Sequence, residues 1–162
     1  MAFSADSQVS LAVQFSTSLD LIAPVRRFVG ELYGRALTHP DMASRLAMAV
    51  HELLENAVRH AVDGRAEVHV DVVPHDGRLL ATIDARNITR SEDLPRAAAA
   101  LDEVIQAADP TALYMDLLRR AARRGDGTSG VGLGRIRAEG ELSLSYEIDG
   151  NSVRVIATGI FE

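Results

Sequence analysis

The chain is predicted to fold as an α+β two-layer sandwich, with a mixed but mostly antiparallel sheet and helices packed on one face. Three observations predict it. Two pairs of alternating apolar segments are joined by the short turn sequences PHDG and DGN, so each pair reads as a hairpin with antiparallel strands. The segment from Asp41 to Val62 carries an unbroken i, i+3, i+4, i+7 apolar stripe, the mark of a helix lying on a core. The segments run in the order β, α, α, β, β, α, α, glycine stretch, β, β.

Taken in order, QVSLAVQF alternates as a strand over about Gln8 to Phe15. Ser18 is a plausible cap for the next segment, where Leu21, Ile22, Val25, Phe28, Val29, Leu32, Tyr33 and Leu37 recur at helical spacing, with Pro24 in the early turns. THPD breaks the chain, and Asp41 is read as the cap of a second helix whose stripe is Leu46, Ala49, Val50, Leu53, Leu54, Ala57, Val58 and Ala61. Strands over Ala66 to Val73 and Arg78 to Ala85 follow, then an Ala-rich helix from Leu94 to Ala108. A further helix has Asp109 as its cap, Pro110 in its first turn and Gly125 at its far end. After the glycine stretch come a short RIRAE segment and the strands ELSLSYEI and SVRVIATG.

Composition narrows the function classes. At 162 residues and 47% hydrophobic content, residues 1–162 are expected to form one domain, with a helical insertion over about 91–124. Only 4% of residues are aromatic and the net charge is −6, which disfavours nucleic-acid binding. Cysteine is absent, which removes thiolate metal sites and suits a reducing cytoplasm, the expected location. MAFSADSQVS has neither a basic region nor a long apolar run, and no segment is long enough for a membrane span, so no membrane association is expected. All 17 basic residues are Arg, and without lysine neither a P-loop nor Schiff-base chemistry is available.

GDGTSGVGLG, Gly125 to Gly134, allows two phosphate-binding readings. Its first six letters fit G-x-G-x-x-G, the dinucleotide fingerprint. That motif must leave a strand and open a helix inside a βαβ unit, whereas here it leaves an Arg-rich helix and leads towards a hairpin. The G-V-G-L-G half reads either as a loop whose glycines let backbone N–H groups approach phosphate oxygens or as a flexible connector after the helix.

The second helix carries the remaining chemistry. Glu52, Asn56 and His60 fall on one flank of the stripe, while Glu55 and Arg59 are expected to point away. An amide oxygen one turn from a carboxylate suits phosphoryl transfer: Asn56 can offer a ligand to Mg²⁺, and Glu52 can orient or deprotonate an attacking hydroxyl, the alternative being that both are solvated rim residues of an amphipathic helix. His60 has no second His or Cys at ligand spacing and reads as a rim or core histidine. Arg119, Arg120, Arg123 and Arg124 complement a helix C-terminus, with phosphate or an acidic partner as the alternative.

HELLENAVRHA, followed by two strands and later by GVGLG, resembles the N-box and second glycine box of the ATPase superfamily shared by gyrase, histidine kinases and bacterial anti-sigma-factor serine kinases. The likeness spans about Arg45 to Ile160 and is strongest to the small stand-alone serine kinases, including those of the SiaB type. It implies a Bergerat-type fold that binds ATP and Mg²⁺, with Asn56 on the metal and Glu52 as base. It also implies a loop of Gly130, Gly132, Leu133 and Gly134 around the triphosphate, with Thr128 and Ser129 as added hydroxyl donors. Such kinases carry D-x-G-x-G after the second hairpin strand, where the Asp binds adenine. Here the segment reads Asp84-Ala85-Arg86-Asn87-Ile88 without glycine: Asp84 aligns by strand position, Asn87 by a shift of three. The partner implied is a small STAS-type anti-anti-sigma protein, with a homodimer as an open expectation. A module that keeps the fold and a partner surface without binding nucleotide is the alternative.

Overall fold

The structure is a computed structural model that describes residues 8–16, 18–37, 39–124 and 130–162. Its strands are β1 (Val9–Ser16), β2 (Arg65–His75), β3 (Arg78–Ile88), β4 (Ser143–Asp149) and β5 (Ser152–Phe161). Its α-helices are α1 (Ile22–Ala36), α2 (Pro40–His60), α3 (Leu94–Gln106), α4 (Pro110–Arg124) and α5 (Val131–Ala138). The strands form one sheet in the order β1-β2-β3-β5-β4, and every pairing is antiparallel. Among the described residues no helix is long and apolar enough to cross a membrane.

Side-chain alternation sets the two layers. In β2, Ala66, Val68, Val70 and Val72 are buried, and in β3 the buried partners are Ala81, Ile83 and Ala85. Against that face lies α2, whose predicted stripe is buried through Leu46, Ala49, Val50, Leu53, Leu54 and Ala57. Apolar burial of this extent is what holds the helix on the sheet. Tyr33 of α1 is fully buried and donates its hydroxyl to Val70 O at 2.9 Å, which ties α1 to β2; burial pushes its phenol pKa up.

Helix starts depart from expectation in two places. Asp41 does not cap α2; Pro40 opens the helix after His39, at a position where a missing N–H costs nothing, and Asp41 pairs instead with Arg45 at 2.9 Å. Ser18 makes no side-chain cap bond and precedes a 3₁₀ turn, Leu19–Leu21, from which α1 continues. Asp109 does act as expected, accepting from the Ala112 N–H at 2.9 Å. The PHDG turn has Asp76 at φ 50° and Gly77 at φ 77°, the left-handed pair that lets a two-residue hairpin follow the sheet twist.

Candidate functional site

Helix geometry stacks Glu52, Asn56 and His60 along one side of α2, at the border between the buried stripe and solvent. The element facing them is α5, which packs against both α2 and α4. The expectation of a loop over Gly130 to Gly134 is corrected here: GVGLG is the start of a helix. Gly130 is its N-cap at φ 77°, a left-handed conformation that a Cβ disfavours. Gly132 brings the first turn against Glu52, where an added Cβ would overlap the Glu52 Oε2. Gly134 has another task. It is buried, its N–H donates to Gly130 O at 2.9 Å, and a Cβ there would sit 2.9 Å from Leu117 Cδ1 of α4. Gly134 therefore serves helix packing, and the N–H groups left without an intrahelical partner are those of Val131, Gly132 and Leu133. The Leu133 side chain is itself part of the core, so only its backbone faces a ligand.

Two adjoining cavities result. The larger, about 440 Å³, is bordered by Asn56, Arg59, His60, Asn87, Arg124 and Gly130, among others. The smaller, about 100 Å³, lies between Glu52, Asn56, Gly130 and Gly132. Asn56, Arg59, Gly130 and Leu133 belong to both walls. Glu55 and Arg59, expected to point away, border the smaller cavity and pair with each other. Thr128 and Ser129 lie outside the described residues.

Charge is concentrated along these walls. The Glu52 carboxylate, only 12% exposed, accepts from Arg135 Nη1 at 3.1 Å. Arg135 also donates through Nε to Glu139 at 2.6 Å. Arg124 and Arg96 add guanidinium groups to the larger cavity, and Arg96 is bonded to Asp93 at 2.8 Å. Of the other arginines at the end of α4, Arg120 bridges Glu103 and Asp116 and is structural. Arg96 stands in no motif, and Arg135 follows GVGLG with nothing local to say what it faces, so neither was legible as a site residue; they reach the site through the packing of α3 and α5.

Burial lowers the His60 pKa below 6.5, and the Arg96 charge lowers it further, against a smaller opposing pull from Asp93. The folded state therefore binds this proton less readily than the unfolded chain. Its contribution to stability is fully present above about pH 6.5 and is lost as pH falls from there through the folded pKa. His60→Gln is expected to flatten the pH dependence of Tm across that window, read by thermal melts between about pH 5 and 7.

The two adenine-binding candidates part company. Residues of a strand alternate between faces, so positions 84 and 87 lie on opposite sides of the sheet. Asn87, 5% exposed, is on the helix-covered face and borders the larger cavity. Asp84 is on the other face, where Arg154 of β5 holds both its oxygens at 3.1 and 3.2 Å. Asp84 does not border either cavity. Asp84→Ala is expected to cost about 1–2 kcal/mol of stability, since Arg154 keeps Glu147 as a partner, and to leave ligand affinity unchanged. Urea denaturation together with a ligand titration checks both halves.

Comparison with known proteins agrees with this architecture. The family model described as the histidine kinase-like ATPase domain matches residues 15–157. No curated protein matches the chain. Among solved structures, a chain of the SiaB-SiaC complex from Pseudomonas aeruginosa superposes with a TM-score of 0.61 at 15% sequence identity, covering 93% of this chain and 89% of that chain. At that identity the likeness speaks for the fold. Nearly the whole chain, from the end of β1 to within β5, is matched by the family model, and the chain belongs to the histidine kinase-like ATPase domain family.

Proposed function

We propose that this chain is an ATP- and Mg²⁺-binding protein serine kinase or anti-sigma-type regulator of a partner-switching pathway. One observation carries the reading: Glu52 and Asn56, a helical turn apart on α2, border the same cavity as the first turn of α5, whose N–H groups have no carbonyl partner within the helix. A carboxylate, an amide oxygen and a helix N-terminus around one opening are a donor set suited to a nucleotide triphosphate.

The residues fit the implied groups. Asn56 would contribute one neutral oxygen to Mg²⁺, which prefers to complete its shell with phosphate and water oxygens. The metal would neutralise phosphate charge. The N–H groups of Val131, Gly132 and Leu133, with the positive end of α5, would receive phosphate oxygens. Arg59 and Arg124 add positive charge to the wall, and α3 and α4 take the part of the helical lid. Glu52 would accept the proton of a partner serine hydroxyl as its oxygen attacks the terminal phosphorus and the bond to ADP breaks. Arg135 orients Glu52 and keeps Glu139 as a second acceptor, so it can yield part of its hold without being left unpaired.

The partner we propose is a small STAS-type protein whose serine enters between α2 and α5, with the kinase acting from the cytoplasm as a monomer or homodimer. The structural neighbour was solved as a complex of two proteins, which supports a protein partner here. Calorimetric titration with ATP, with and without Mg²⁺, tests the reading. Saturable, Mg²⁺-dependent binding supports it, and absence of heat at millimolar Mg-ATP leaves a non-catalytic partner-binding module.

A further inference from the structure

The wall of the larger cavity holds a polar pair whose chemistry differs from a carboxylate. Asn87 and Thr89 are 5% and 2% exposed, and the Asn87 Nδ2 donates to Thr89 Oγ1 at 2.9 Å. Ala97, Ala100, Leu101 and Val153 stand beside them in the same wall and give it the apolar surface that a flat ring needs. No free carboxylate competes for a base among the described residues here. Asp84 is committed to Arg154 on the far face of the sheet, and Asp93, the acidic residue in this wall, is bonded to Arg96 at 2.8 Å.

A carboxylate can only accept hydrogen bonds, so at such a position it holds an exocyclic amino group and repels a keto oxygen. An amide beside a hydroxyl has no such preference. With Nδ2–H donating to Oγ1, the Asn87 Oδ1 is left to accept from a 6-amino group. With the amide turned over and the Thr89 hydroxyl donating to Oδ1, an Nδ2–H is left to donate to a 6-keto oxygen. The two arrangements have the same shape, keep the Asn87 to Thr89 bond, and differ only by rotation of one amide and one hydroxyl. We infer that the Asn87 and Thr89 pair makes this site indifferent to the group at purine position 6, so that guanine and hypoxanthine nucleotides bind alongside adenine nucleotides.

This inference rests on the nucleotide-binding reading, and the test separates the two. Calorimetric titrations of the full chain with Mg-ATP, Mg-GTP and Mg-ITP are expected to give dissociation constants within about tenfold of one another, the spread of a single neutral hydrogen bond. ITP removes the 2-amino group from the comparison, because hypoxanthine differs from adenine only in the keto oxygen at position 6 and the proton that accompanies it on N1. ATP binding more than about tenfold tighter than both other nucleotides overturns the inference and leaves the nucleotide site standing. Binding of none of the three overturns both. Asn87→Asp is expected to create a preference for ATP over ITP of at least about 30-fold, because the keto oxygen then faces a fixed acceptor. Equal affinities in that variant remove Asn87 as the determinant. Should the variant not fold, the comparison of the three nucleotides on the native chain still decides.

Discussion

On the proposed kinase reading, Glu52→Gln is expected to slow phosphoryl transfer to a partner serine by roughly 10²–10⁴-fold, while the Kd for Mg-ATP is expected to stay within about threefold. Gln has the shape of Glu and keeps an oxygen for the 3.1 Å bond from Arg135 Nη1, so α2 and α5 stay packed around Gly132. What it loses is the ability to take a proton. Single-turnover phosphorylation of a purified partner, followed by mass spectrometry, measures the transfer step, and calorimetry measures binding. An unchanged transfer rate would sink the assignment of Glu52 as base. A parallel loss of binding and transfer would make it a ligand-positioning residue instead.

On the same reading, Asn56→Ala is expected to remove the Mg²⁺-dependent stabilisation that Mg-ATP would confer. At a ligand concentration about 100 times Kd, binding stabilises the native state by about 2.7 kcal/mol, which for a chain of this size raises Tm by roughly 5–10 °C. Asn56 is half-buried at the helix border and lies outside the hydrophobic core, so the apo variant should lose less than about 1 kcal/mol. Thermal melts of both proteins, with ATP in the presence of Mg²⁺ or of a chelator, separate the two effects. Loss of the Mg²⁺-dependent part alone is the expected pattern. A full shift in Asn56→Ala places the metal elsewhere.

The glycine stretch shows where reading a motif and reading a structure diverge. Five glycines in ten residues are evidence of close backbone approach, and by motif alone that approach points to phosphate. The fold divides the work. Gly130 supplies a left-handed N-cap, Gly132 admits the Glu52 carboxylate, and Gly134 admits Leu117 of a neighbouring helix. A helix was not legible there because glycine has poor helix propensity, and the packing of α5 between α2 and α4 outweighs it. Asn87 enters the sequence reading through a register shift of three and not through its strand, which is predicted only to Ala85; the alternation that buries Ala81, Ile83 and Ala85 puts position 87 on the same face because the strand runs on to Ile88.

Hydrophobic periodicity is a property of neighbouring residues, and it was enough to place α2, its buried stripe, both hairpins and the one-turn spacing of Glu52 and Asn56. What stands across from those two side chains is a matter of chain segments far apart in number. Arg135 meets Glu52 across 83 positions, and Arg154 meets Asp84 across 70. Such meetings depend on the order of strands in the sheet and on how helices settle over it. Those are set by the burial of the whole core at once, and no local pattern encodes them.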